Sequence, residues 1–155
     1  MSKNFSKNLI DFLSGIKNYT TEKILINKIR YELKNKEFKM HLQFIVDNKT
    51  KRIVSSEALS RWETSEGEVI MPGKYIGLME KSGLITKFDY YMFESVCDKL
   101  SKWAKTDFKE LTISCNFTRI TISEKDFVAK IKDIAERYEF DKLPHLIEIY
   151  EKQTG

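Results

Sequence analysis

Two cysteines, two prolines and six glycines in 155 residues exclude several classes of protein at once. Cys97 and Cys115 fall in apolar helical and strand contexts and form no metal-binding spacing. Neither a disulfide scaffold nor a zinc site is read, and reduced thiols in the cytoplasm are expected. No apolar run approaches the roughly 18 residues that a membrane span requires. The start, Met1-Ser2-Lys3-Asn4-Phe5, lacks the long apolar core of a secretion signal. No segment repeats and none is of low complexity. What is present is 41% hydrophobic, 32% charged and 12% aromatic, the make-up of one ordinary soluble domain with enough aromatic mass for a core.

The net charge of +4 is uneven. Residues 1–52 carry 12 Lys and Arg against 5 Asp and Glu, and residues 53–155 carry 15 against 18. The leading lysines are scattered and are not interleaved with stacking aromatics. They read as a solvated helix face, and no nucleic-acid polymer is expected as a partner.

Leu9, Phe12, Leu13 and Ile16 predict a short amphipathic helix near residues 5–17. Asn18-Tyr19-Thr20 is expected to break it, with Thr20 or Thr21 capping a second helix that carries Leu25, Ile29 and Leu33. Residues 39–46 alternate, with Met40, Leu42 and Phe44 opposite His41, Gln43 and Ile45, and predict a strand. Asp47-Asn48-Lys49-Thr50 turns the chain into a second strand, about 52–62, which a loop this short makes antiparallel to the first. A polar loop, 64–68, leads to Pro72 and a short helix that stops at Gly83. A longer helix near 86–104 shows the stripe Phe88, Met92, Val96, Leu100 and Trp103. Leu111 to Phe117 alternates as a third strand. Ser123 with Asp126 is read as the cap of a helix lined by Phe127, Ile131, Ile134 and Tyr138, and Pro144 to Glu151 as a fourth strand. Strands alternating with helices predict an α/β fold with parallel pairs after the first hairpin.

The chemistry centres on Ser56-Glu57-Ala58-Leu59-Ser60-Arg61-Trp62. On a strand, Glu57, Leu59 and Arg61 share one face, with Ala58, Ser60 and Trp62 on the other. A carboxylate beside a planar guanidinium suits a site that holds a cation and a phosphate. Glu57, Asn116 and Glu148 each lie near the C-terminal end of a strand, where parallel α/β folds bind ligands. Two carboxylates and an amide favour Mg²⁺ or Mn²⁺ over zinc or copper. Taken singly, Asn116 reads better as a residue bonding neighbouring backbone and Glu148 as a carboxylate exposed at a strand end; the three in register are what point to a site.

Glu57-Ala58-Leu59-Ser60-Arg61-Trp62 resembles the signature strand of the EAL-domain family of cyclic-di-GMP phosphodiesterases. Met40-His41-Leu42-Gln43 is similar to that family's first strand, with Phe44 where a proline is usual. Met71-Pro72-Gly73-Lys74-Tyr75-Ile76 and Glu80-Lys81-Ser82-Gly83-Leu84-Ile85 are similar to its proline-led helix and following turn. Ile113-Ser114-Cys115-Asn116-Phe117 resembles its third strand, and Glu148-Ile149-Tyr150-Glu151 its fourth, with Tyr150 in place of threonine. The resemblance runs from about residue 38 to 151.

It implies metal ligation by Glu57, Asn116 and Glu148, substrate contacts from Gln43, Leu59 and Arg61, and support of a neighbouring loop by Glu151. The implied reaction is Mg²⁺- or Mn²⁺-dependent hydrolysis of cyclic-di-GMP to pGpG. The family fold is a TIM-type barrel of about 250 residues. The resemblance therefore implies half a barrel here: about four strands with crossover helices in a truncated EAL domain over 38–155, behind a helical connector of two helices over 1–37. No Asp-Asp pair occurs in the 155 residues, and the family's catalytic lysine has no counterpart. The chain alone is accordingly expected to be inactive, and the other reading is a non-catalytic cyclic-di-GMP-binding or protein-interaction module. Open strand edges also lead to the expectation of a second copy, or of an upstream domain reached through the N-terminal helices.

Overall fold

The computed structural model of the protein describes the backbone of residues 2–138 and 147–152 and the side chains of residues 18–138. In chain order the elements are α1 (Ser2–Lys34), β1 (Phe38–Val46), β2 (Ile53–Glu63), β3 (Val69–Ile70), a 3-10 turn (Pro72–Lys74), α2 (Ile76–Lys81) and α3 (Ile85–Trp103). They are followed by β4 (Thr112–Thr118), α4 (Arg119–Ile122), α5 (Phe127–Glu136) and β5 (Ile147–Lys152).

The two helices expected at the start are one. Residues 18–21 carry weak helix propensity, but each such residue costs at most about 0.7 kcal/mol relative to alanine. No proline is present to remove a backbone donor and end the helix. The side chains of Leu9, Phe12, Leu13 and Ile16 lie outside the described residues. The far end of α1 is anchored, with Ile29 and Leu33 buried and Leu25 packed beside them. Ser123 also departs from expectation. It is the C-cap residue of α4, and Asp126 occupies the N-cap of α5 without a side-chain cap bond.

Both α1 and α2 end in the same backbone motif. Gly83 (φ +71°) follows α2, and the Leu84 N–H donates to the Met79 carbonyl at 2.8 Å. Lys36 (φ +60°) follows α1, and the Glu37 N–H donates to the Glu32 carbonyl at 3.1 Å. These six-to-one bonds are those of a Schellman cap, whose left-handed residue is normally glycine, as at Gly83.

The sheet runs β1-β2-β4-β5, with β3 paired to β2. β1 and β2 are antiparallel, and β2, β4 and β5 are parallel. The helix-facing side of β2 carries Ala58 and Trp62, both buried. Two core clusters flank this strand. Ala58 packs with Ile113, Cys115 and Phe117 of β4 and with Phe93, Val96 and Leu100 of α3. Trp62 packs with Phe38, Tyr75, Met79 and Phe88 and with Ile29 and Leu33 of α1. Phe38 sits at the centre of the second cluster, its ring 5.3 Å from Trp62, 5.1 Å from Tyr75 and 5.3 Å from Phe88. Among the described residues, no helix is long and apolar enough to cross a membrane.

Candidate functional site

Alternation along β2 sends Glu57, Leu59 and Arg61 to the face away from Ala58 and Trp62. The register extends this face across the sheet. Gln43 pairs with Glu57, Glu57 with Ser114, and Ser114 with Glu148. Four strands therefore place Gln43, Glu57, Ser114 and Glu148 on one rung. Asn116 stands one face position further along β4, with Tyr150 as its partner on β5. The side chains of Glu148 and Glu151 lie outside the described residues, and their backbones occupy this strand.

Asn116 Nδ2 donates to Glu57 Oε1 at 2.7 Å. The structure thus brings two of the three expected metal ligands into direct contact. Among the described residues no group of three His, Cys, Asp or Glu side chains comes together. A carboxylate oxygen paired with an amide oxygen would suit a hard cation, and here the Asn116 NH2 group, with its positive dipole end, faces Glu57 where that charge would sit. Rotation of the Asn116 amide would present its oxygen instead.

Arg61 is held near the end of β2, its Nη1 donating to the Ser60 carbonyl at 2.7 Å. The Tyr75 hydroxyl donates to Ser60 Oγ at 2.8 Å, which ties the helix side of this strand end to the turn after Pro72. Burial pushes the Tyr75 hydroxyl pKa upward, against the smaller opposing effects of Ser60 and Arg61. Leu59 and Asn116 help line a cavity of about 50 Å³ that reaches Pro72, Phe88 and Asp89. That space suits a water or two and no dinucleotide, so a large ligand would have to lie on the open sheet face, where Gln43 is exposed. Further along this face His41 Nε2 lies 2.6 Å from Glu63 Oε1, with both side chains exposed.

One residue of this region escaped the sequence reading. Asp89 is only 4% exposed, and its Oδ2 accepts from the Thr118 N–H at 2.9 Å, Thr118 Oγ1 at 2.8 Å and Thr121 Oγ1 at 2.6 Å. It clamps the end of β4 two residues beyond Asn116. The available signal was an acidic residue directly after Phe88 on the core stripe of α3.

The EAL-domain family model matches residues 26–154. The chain belongs to the EAL-domain family. Its match begins within the C-terminal part of α1, upstream of the first strand. The chain is 27% identical over 121 residues to the signaling protein YkoW of Bacillus subtilis, covering 78% of the chain and 15% of that relative. It is 23% identical over 127 residues to the bifunctional diguanylate cyclase/cyclic di-GMP phosphodiesterase MucR of Pseudomonas aeruginosa, covering 82% of the chain and 18% of MucR. The chain thus spans less than a fifth of these two relatives. A solved PaMucR phosphodiesterase complex with c-di-GMP superposes with a TM-score of 0.74 at 22% identity, over 81% of this chain and 50% of that one. The Xanthomonas citri FimX EAL domain in complex with c-diGMP gives 0.72 at 15% identity, over 86% and 50%. These superpositions show an EAL fold.

Proposed function

We propose that the face carrying Gln43, Glu57, Leu59, Arg61 and Asn116 binds cyclic-di-GMP and forms one part of an EAL-type phosphodiesterase centre. The observation that supports this most is the contact of Asn116 with Glu57, two groups the family pattern assigns to one metal, held by separate strands. Arg61 lies two face positions beyond Glu57, where its fork can take a phosphate in paired hydrogen bonds. Gln43, opposite Glu57, offers both a donor and an acceptor to a polar edge of the ligand. Glu57, Asn116 and Glu148 would hold Mg²⁺ or Mn²⁺. Such ions, when bound, make water a better nucleophile and offset phosphate charge. Glu151 would support a loop at the same end of the sheet.

The 155 residues contain no Asp-Asp pair, so this chain alone is read as binding the dinucleotide without hydrolysing it. Calorimetry with cyclic-di-GMP and Mg²⁺ tests the binding. Heat of binding that Arg61→Ala weakens at least tenfold supports the reading, and no heat at high ligand concentration sinks it. Release of pGpG above a Glu57→Ala control would replace binding alone with catalysis.

A further inference from the structure

The two Schellman caps differ in what they bring together. The residues at the ends of the six-to-one bond commonly make an apolar contact. At α2 they are Met79 and Leu84, both part of the core beside Trp62. At α1 the same positions hold Glu32 and Glu37. Glu32 is 7% exposed. Glu32 Oε2 and Glu37 Oε2 are both buried with no conventional donor, and so is Nε1 of the neighbouring core residue Trp62. Glu32 is buried and Glu37 half-buried, and two carboxylates set side by side with inward oxygens unpaired cannot both remain ionised without an electrostatic penalty. A proton between them satisfies both orphaned oxygens at once.

We propose that Glu32 and Glu37 share one proton, and that this proton-binding site is a latch fastening the end of α1 to the start of β1 and to the Trp62 end of β2. The charged groups facing Glu32 are Lys28 on its own helix, Glu37 at the entry to β1 and Glu66 in the loop after β2. Lys28 also lies 5.6 Å above the Trp62 ring. Burial, then the hydrogen bond and charge of Glu37, raise the Glu32 pKa from its ordinary 4.5, and Lys28 only partly opposes them. A carboxyl whose folded pKa is raised contributes its stability below the unfolded value and loses it as pH rises through the folded value. The latch is therefore closed in acid and loosens toward alkaline pH. Trp62 neighbours Arg61 in the chain, so opening would disturb the strand that carries the candidate site.

Carbon-13 NMR of the glutamate carboxyls in the full chain reads the latch without mutation. The expected result is one carboxyl titrating above the ordinary glutamate value, with the signal of its neighbour changing in the same step. Two independent titrations in the ordinary range overturn the proposal. Thermal unfolding between pH 5 and pH 8 gives a second test. Wild type is expected to lose several degrees relative to Glu32→Gln, whose amide donates to Glu37 at every pH. Parallel slopes for wild type and Glu32→Gln also overturn it, and Glu37→Gln serves the same comparison should Glu32→Gln fail to fold. Neither measurement involves cyclic-di-GMP, so the outcome is independent of the ligand reading above.

Discussion

Asn116 Nδ2 meets Glu57 Oε1 at 2.7 Å across parallel strands whose contacting residues are 59 positions apart in the chain. Neither strand alone determines the contact. It exists because the pairing of Glu57 with Ser114 carries Asn116 one step further along the same face.

This contact should appear as a coupling in stability. A double-mutant cycle with Glu57→Ala and Asn116→Ala, followed by urea unfolding, is expected to give about 1 kcal/mol of interaction energy, as for a partly buried charged hydrogen bond. Additive single effects would show that the contact contributes nothing to the fold.

The two faces of β2 should respond differently to truncation. Trp62→Ala removes a fully buried ring packed on Phe38 and Tyr75 and is expected to cost about 3–5 kcal/mol. Leu59→Ala, on the half-buried opposite face, is expected to cost under about 1.5 kcal/mol. Urea midpoints at constant slope measure both.

Asp89→Ala removes the acceptor of three buried hydrogen bonds. The Thr118 N–H would be left unpaired, with the two hydroxyls still able to bond each other, at an expected cost of about 1–3 kcal/mol. Hydrogen exchange at the Thr118 amide reports the loss directly, since that N–H donates to Asp89.

Both thiols should be inert in the folded protein. Burial pushes Cys97 up to about 12 and Cys115 higher still, so the nucleophilic thiolate is scarce at neutral pH. No reaction with an aromatic disulfide reagent is expected at pH 8, and full reaction is expected in urea. Raised thiol pKa values add stability that is complete below the unfolded value near about 8.5 and lost as pH climbs beyond it. Alkaline unfolding should therefore be shallower in Cys97→Ala than in wild type.

Lys36→Gly is expected to stabilise the chain by up to about 1 kcal/mol, because a β-carbon is strained at a left-handed backbone position. An unchanged melting temperature would show that the greater freedom of glycine in the unfolded chain cancels the relief.

Much of this architecture was readable from periodicity. Residues 39–46 alternate, and the structure places Glu57, Leu59 and Arg61 opposite Ala58 and Trp62 as the two-residue period of any strand requires. The stripe from Phe88 to Leu100 faces the sheet for the same reason. The misses arise where local preference is weak or partners are remote. Asn18 to Thr21 looked like a helix break, but small propensity differences do not end a helix that has no proline. Val69–Ile70 is too short for any period to reveal, and its pairing with Trp62 and Glu63 depends on how the loop closes. Asp89 went unread, because its partners Thr118 and Thr121 come from a distant segment. The Glu32 and Glu37 pair depends on Lys36 adopting a conformation that lysine seldom takes.

Along β2 the anchoring residues and the candidate site residues take alternate turns. A substitution at position 57, 59 or 61 alters the candidate site face without hollowing the aromatic cluster around Trp62. Chemical competence and structural integrity can thus drift apart over evolutionary time. The face that would meet a ligand can therefore change its chemistry while the strand keeps its anchorage.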